Sequence, residues 1–229
     1  MSEAGTSDTA GTFDKAAAIT RSLLGWGVVA GPFYLVVGLT LALTRSGFDV
    51  ARHPLSLLML GEGGWMQTAN LILTGIMVLA AALGFRRAAD RGGAGLWLGV
   101  AGIGLVGSGL FPPDPMGGFP AGVAEVGTTS GIMHLVFGLV QFVGVAVAAI
   151  LAGGWFARRG ASRTALYSRL SGAVVLLGFF GGAALSTASA GVAALWLAVV
   201  VEWVWLAVAS VQAYRTVPHP DGERRTAAA

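Results

Sequence analysis

Six long apolar blocks alternate with shorter polar segments along the 229-residue chain. The blocks cover residues 23–43, 65–85, 95–111, 131–152, 170–185 and 192–211. A helix rises about 1.5 Å per residue and the hydrocarbon core of a bilayer is about 30 Å thick, so apolar blocks of this length are typical of membrane-spanning helices. The pattern predicts an all-α, integral membrane bundle of six transmembrane helices.

The segments outside the blocks predict the domain limits. Residues 1–20 are small and polar, which favours a disordered cytoplasmic tail. Residues 21–212 are predicted to form the six-helix transmembrane domain. Residues 213–229 contain Pro and Gly and are predicted to be a flexible cytoplasmic tail. The first block is too long for the apolar core of a signal peptide, so we expect it to be retained as a helix.

The composition supports a membrane location and excludes several classes of protein. Hydrophobic residues make up 55% of the chain and charged residues 11%, whereas soluble domains carry roughly 25% charged residues. The chain has no cysteine, which excludes disulfides, thiolate metal sites and cysteine nucleophiles. Its net charge of +3 comes from basic residues in short connections, without a nucleic-acid-binding motif, so no nucleic acid partner is expected.

The distribution of the 14 basic residues predicts the orientation of the bundle. All but Arg45 and Arg52 lie in the two tails or in the second and fourth connections. Because Lys and Arg accumulate on the cytoplasmic side of membranes, both termini are predicted to be cytoplasmic. The Ala-, Gly- and Arg-rich composition is typical of a high-GC bacterium, so we expect a multi-pass protein of the bacterial inner (plasma) membrane.

Two of the predicted outer connections are long, and we call residues 45–64 loop 1 and residues 112–130 loop 3. Both mix apolar residues with turn formers, which favours loops that fold over the mouth of the bundle. Arg52, His53 and Ser56 in loop 1 and Asp114 in loop 3 are then expected near His134 at the start of the fourth helix. Arg52 and Asp114 are also suited to a bidentate ion pair that ties the two loops together.

Polar side chains inside the apolar blocks carry the strongest hint of a site, because such groups are costly in lipid and usually face the bundle interior. The polar side chains inside the apolar blocks are Gln67, Asn70, Thr74, His134, Gln141 and Glu202. Helical spacing places the polar side chains of any one helix on the same face of that helix. Gln141 and Glu202 are predicted near the midplane. Together these residues predict a polar cleft that is open to the outside and lined by the second, third, fourth and sixth helices.

Each of these side chains also has a structural interpretation. Gln67, Asn70 and Gln141 suit interhelical hydrogen bonds, and His134 suits a bond to a loop carbonyl. Glu202 has no basic residue at its depth, so we expect it to be protonated and to donate a hydrogen bond to Gln141. That bond is compatible with a structural role and with a functional one.

Several segments resemble a known family of bacterial multi-pass membrane proteins. They read GFD (47–49), RHPLSL (52–57), GWMQTAN (64–70), GLFPPDP (109–115) and GIMH (131–134). In combination they are similar to the domain-of-unknown-function family numbered 998, over residues 25–211. The resemblance implies a helical fold and a membrane location but no reaction.

Three functions follow from these observations. The first is an accessory or sensing protein that binds a lipid or small apolar ligand in the cleft. The second is a membrane-embedded, metal-dependent hydrolase using His53, Asp114 and His134 as metal ligands. The third is a proton-coupled transporter using Glu202. The candidate cleft residues are Arg52, His53, Ser56, Gln67, Asn70, Asp114, His134, Gln141 and Glu202.

The sequence does not decide whether the protein is an enzyme or whether it binds a cofactor. The expected partners are membrane lipids, and the sequence is compatible with a homo-oligomer or a membrane partner protein.

Overall fold

A computed structural model describes residues 13–89, 93–186 and 188–220 of the chain. Within these ranges the fold is helical, with six α-helices and no strand. The α-helices are α1 (Lys15–Thr44), α2 (Trp65–Ala88), α3 (Ala94–Leu110), α4 (Thr129–Arg158), α5 (Ser162–Ala184) and α6 (Ser189–Thr216). Loop 1 contains a short 3₁₀ helix, Leu55–Met59. Each predicted apolar block corresponds to one helix, and the third and fifth blocks extend one residue beyond their helices.

Five of the helices are long and apolar enough to cross a membrane: α1, α2, α4, α5 and α6. They make the chain a multi-pass membrane protein. The 17 residues of α3 are also apolar, but they span only about 26 Å at 1.5 Å per residue, slightly less than the hydrocarbon core. The count of six membrane spans therefore stays a prediction.

The predicted tails are shorter than expected where the structure describes them. α1 begins at Lys15 because Asp14 caps it, accepting a 3.0 Å hydrogen bond from the Ala17 amide. Residues 15–20 are therefore helical, which corrects the predicted boundary of the disordered tail. α6 likewise continues to Thr216. The remaining parts of both tails, residues 1–12 and 221–229, lie outside the described residues.

The six helices form a closed ring. Each helix packs against its neighbours in the chain, and α6 returns to pack against α1. Across the ring, α6 makes only small contacts with α2 and α4, and in the described parts of the chain it does not reach α3. The centre of the ring is therefore not filled by direct packing of helices against each other.

The ends of the described chain meet at one end of the ring. Arg21 on α1 donates a 2.9 Å hydrogen bond to the carbonyl of Val217, just after α6. Arg87 near the end of α2 donates a 2.9 Å hydrogen bond to Thr20 Oγ1 on α1. This arrangement is the one that an even number of membrane crossings would produce. The side of the membrane that this end faces stays a prediction from the basic residues.

Glycines let neighbouring helices approach closely at two points beside the centre of the ring. A Cβ on Gly104 of α3 would lie 2.6 Å from the backbone nitrogen of Gln141 on α4. A Cβ on Gly31 of α1 would lie 2.7 Å from the Cβ of Trp203 on α6. Close backbone approach of this kind is typical of small residues in membrane helices. It fixes the positions from which Gln141 and Trp203 reach inward.

Candidate functional site

Loops 1 and 3 fold over one end of the ring, as expected. The 3₁₀ helix of loop 1 buries Leu55, Leu57, Leu58 and Met59, and Leu58 is only 1% exposed. Burying these apolar side chains removes them from water and holds the loop against the helix ends. The loop end of the bundle is therefore a folded cover.

His53 joins the two loops. Its Nδ1 accepts a 2.9 Å hydrogen bond from the Asp49 amide, so the ring proton lies on Nε2, which donates to the Gly117 carbonyl at 3.0 Å. The ring also packs against Phe48 and Phe119, with centroids 5.3 and 5.4 Å away. Both ring nitrogens are occupied, so His53 ties loop 1 to loop 3 and has no free lone pair for a metal ion.

Asp114 is held at the amino-terminal end of α4. Its carboxylate accepts hydrogen bonds from the amide of Thr128 and from Thr128 Oγ1, the latter at 2.6 Å. Thr128 is the N-cap of α4 and accepts a 3.1 Å bond from the Gly131 amide. A carboxylate in this place is also favoured by the helix dipole. The predicted ion pair between Asp114 and Arg52 is wrong, because Thr128 takes the carboxylate instead.

His134 is fixed by the end of α3. Its Nδ1 lies 3.0 Å from the Ser108 carbonyl oxygen and 2.8 Å from that of Phe111. Because carbonyl oxygens only accept, Nδ1 carries the proton and Nε2 of the neutral ring is left as an acceptor. The interpretation of His134 as a partner of backbone carbonyls is confirmed. Within the described ranges, Nε2 makes no hydrogen bond to the protein.

The predicted metal set is not assembled. Among the described residues, no group of three or more His, Asp or Glu side chains lies close enough to hold a metal ion. The reason is local: His53 uses both nitrogens within the loops and Asp114 is bound by Thr128. The expected ligand set of His53, Asp114 and His134 is therefore wrong.

Glu202 faces the interior of the bundle and is only 2% exposed. Its Oε2 accepts a 2.8 Å hydrogen bond from Gln141 Nε2 across the ring. The predicted contact between these two residues is confirmed, but its polarity is reversed, because the amide of Gln141 is the donor. The protonation state of the carboxyl group stays a prediction.

The polar side chains of α2 form a separate hydrogen-bond network. Asn70 Nδ2 donates to the Tyr34 carbonyl and to Gln67 Oε1, both at 3.1 Å. Thr74 Oγ1 donates to Asn70 Oδ1 at 3.4 Å. Gln67 Nε2 lies beside Tyr34 without a hydrogen bond of normal geometry. The bond from Asn70 ties α2 to α1, so the interhelical interpretation is confirmed for Asn70. The bonds that Asn70 makes with Gln67 and Thr74 stay within α2.

A cavity of about 260 Å³ lies at the centre of the ring, beneath the two loops. Five of the predicted cleft residues line it: Ser56, Asp114, His134, Gln141 and Glu202. Four do not line it: Arg52, His53, Gln67 and Asn70. From the second helix, Leu71 lines the cavity instead. The first and fifth helices, which were not predicted to line it, contribute Tyr34 and Phe179.

The cavity reaches the outer surface of the bundle beside α4. Leu135 lines it and is nevertheless 68% exposed. Its neighbours Ile132 and Val136 are also exposed, and exposed apolar side chains on a membrane helix face lipid. The wall of the cavity at Leu135 is therefore also part of the apolar outer surface of the bundle.

A family model described as "Protein of unknown function (DUF998)" matches residues 28–212. The chain belongs to this family. No curated protein matches it, and no solved structure does. The DUF998 region contains every residue that lines the central cavity.

Sequence reasoning missed the aromatic walls of the cavity in this DUF998 protein. Tyr34 and Trp203 line it with ring centroids 5.2 Å apart, and Phe142 and Phe179 line it with centroids 4.6 Å apart. A signal was present on α4, because Phe142 follows Gln141 and shares its face with Gly138 and Leu135 at helical spacing. No such signal marks Tyr34 or Phe179, whose helices carry no polar residue at that depth.

Proposed function

We propose that this DUF998 protein binds a lipid or small apolar molecule with a polar group in the central cavity, as an accessory or sensing protein. The observation that carries the proposal is the pairing of a mainly apolar cavity with a few polar groups fixed in its wall. Such a lining is characteristic of small-molecule sites. The volume of about 260 Å³ is close to the lower end of the roughly 300–1,000 Å³ found for ligand pockets.

The polar groups lie at two depths. His134 stands near the start of α4, and Gln141 follows two helical turns later with Glu202 beside it. Seven residues of helix separate these levels by about 10 Å. Leu71, Leu105 and Val199 are among the apolar residues that share the cavity with them. A molecule with an apolar body and a terminal polar group matches this arrangement.

An entrance beside Leu135, which lines the cavity and is exposed on the bundle surface, would offer a path that does not pass through water. A molecule dissolved in the bilayer would enter between apolar side chains. It would stay in apolar surroundings until its head group reached the polar groups inside the cavity. The folded cover of loops 1 and 3 separates the same cavity from the aqueous side.

We further propose that the cavity lies nearer the outer face of the membrane. The loops that cover it carry only Arg45 and Arg52, whereas the other basic residues belong to the tails and to the connections at the opposite end. The positive-inside rule supports this orientation.

Native mass spectrometry of the protein purified in a mild detergent tests the proposal. The wild-type chain should retain a bound small molecule through dilution. Gly138→Leu should lose it, because Gly138 lines the cavity and its new Cβ would meet only Ser108 Oγ at 3.9 Å, leaving the added side chain to fill the space.

Gly181→Leu is the matched control. It places the same side chain on α5, where no atom lies within 4 Å of the new Cβ. It should retain the bound molecule as the wild type does. Equal retention by all three proteins, or none by the wild type, would contradict binding in the cavity.

A further inference from the structure

The described walls of the central cavity carry two carboxyl groups but no Lys or Arg. Asp114 and Glu202 line it, and neither Lys nor Arg is among the described residues that do so. Charges interact strongly where water is scarce, because the effective dielectric constant is low there. An anionic head group inside the cavity would therefore face two carboxyl groups without a balancing cation.

Aromatic rings line the same cavity as Glu202. The ring pair of Tyr34 and Trp203 and the ring pair of Phe142 and Phe179 belong to the same cavity as the Glu202 carboxyl. Aromatic rings attract cations through their negative faces, most strongly where the cation is desolvated. A carboxyl group among aromatic rings is a combination that suits an ammonium group.

The loop end of the bundle carries the same sign of charge. Loops 1 and 3 contain Asp49, Glu62, Asp114 and Glu125 against Arg45 and Arg52. Arg45 is engaged with the Leu60 carbonyl within loop 1. An excess of acidic groups raises the local concentration of cations at this end of the molecule.

From these three observations we propose that the ligand is a lipophilic cation, an alkylammonium. Its head group would bind Glu202 in the ionised form, which a neighbouring cation itself favours, and its hydrocarbon part would lie in the apolar space toward Leu135. The inference rests on the proposed binding function and narrows its ligand class. Anionic lipids and fatty acids are expected to bind more weakly, because their head groups would face the two carboxyl groups.

A matched series of probes tests this inference: n-octylamine, n-octanol and n-octanoate. They share one hydrocarbon chain and differ in the charge of the head group, since at pH 7 a simple alkylamine is protonated, like a Lys side chain, and a simple carboxylic acid is ionised. Binding to the full-length protein in detergent should be tightest for octylamine. We expect octylamine to bind at least tenfold more tightly than octanol, and octanoate to bind most weakly.

The variant Glu202→Gln tests whether Glu202 is the group that makes the protein bind octylamine more tightly than octanol. The substitution keeps the size and a polar head but removes the carboxylate, so octylamine should lose its advantage while octanol still binds. Asp114→Asn should have a smaller effect, because that carboxylate is already held by Thr128. The probe series on the wild-type protein decides the charge preference even where a variant fails to fold.

The outcomes separate the two proposals. If the three probes bind wild type equally and Gly138→Leu abolishes all binding, the cavity is a ligand site but the cationic preference is overturned. Retention of the octylamine preference in a folded Glu202→Gln protein overturns the assignment to Glu202. If no probe binds the wild type saturably, the proposed binding function itself is contradicted.

Discussion

Gln141 on α4 donates a 2.8 Å hydrogen bond to Glu202 on α6, joining two helices that make few other contacts. Both side chains are buried, and both line the central cavity. The bond fixes the carboxyl group in the cavity wall and links the two helices across the ring. Stability and the proposed ligand recognition would therefore depend on the same pair.

Replacing Gln141 by Leu should destabilise the protein, because Glu202 loses its hydrogen-bond donor while it stays buried. Leaving a buried polar group without a partner costs about 1–3 kcal/mol, and more for a charged one. The thermal unfolding midpoint in detergent should fall clearly below that of the control Leu139→Ala, which removes a lipid-exposed side chain of the same helix.

The double variant Gln141→Leu/Glu202→Leu tests whether the two residues act through each other. Because removing both partners leaves no unpaired polar group, its destabilisation should be smaller than the sum of the single effects. Strictly additive effects would show that the observed bond contributes nothing to stability.

Replacing His53 by Ala should loosen the cover of the cavity. The change removes the hydrogen bonds to Asp49 and Gly117 and the ring contacts with Phe48 and Phe119. Amide hydrogen exchange in residues 115–120 should become faster, since these residues lose their attachment to loop 1.

Arg52→Ala is the neighbouring control for His53. The Arg52 side chain is exposed and lies outside the lining of the cavity, so its loss should leave exchange in loop 3 unchanged. Faster exchange in Arg52→Ala than in His53→Ala would reverse the roles assigned to these two residues.

Replacing Asn70 by Leu should destabilise the contact between α1 and α2. The substitution removes the donor to the Tyr34 carbonyl and leaves Gln67 Oε1 and Thr74 Oγ1 without their partner. We expect a loss of roughly 1–3 kcal/mol, measured as a lower unfolding midpoint. Leu73→Ala, at an exposed position of the same helix, should have little effect, and an equal loss in both variants would contradict the role of the network.

Single cysteines test the orientation against a background that contains none. Ala124→Cys in loop 3 and Ser162→Cys at the start of α5 both replace exposed residues. A membrane-impermeant maleimide should label the first in intact cells and the second only after permeabilisation. The opposite pattern would reverse the predicted topology.

The sequence predicted much of the helical fold because apolar blocks of about 20 residues have few alternatives to a membrane helix. It also predicted that Glu202 faces inward and meets Gln141, since a carboxyl group at that depth is strongly disfavoured in lipid. Both conclusions depend on the periodicity and polarity of individual helices.

The composition of the site was harder to predict because it depends on which helices become neighbours. Asn70 and Gln67 share a helix face with Leu71 by spacing, but Asn70 donates hydrogen bonds to the Tyr34 carbonyl of α1 and to Gln67 instead of lining the cavity. An ion pair was expected between Arg52 and Asp114. The Asp114 carboxylate instead accepts a hydrogen bond from Thr128, which lies closer along the chain. Which partner each polar side chain binds depends on tertiary contacts.

Photolabelling with an alkanol that carries a diazirine on its chain is the most direct measurement of cavity binding. Mass spectrometry of the labelled wild-type protein should place the label on cavity-lining residues of α4 and α6, such as Leu135, Phe142 and Val199. Excess n-octanol should suppress it, and Gly138→Leu should abolish it. Labelling confined to lipid-facing residues such as Leu73 and Leu177, without competition by octanol, would contradict a ligand site at the centre of the ring.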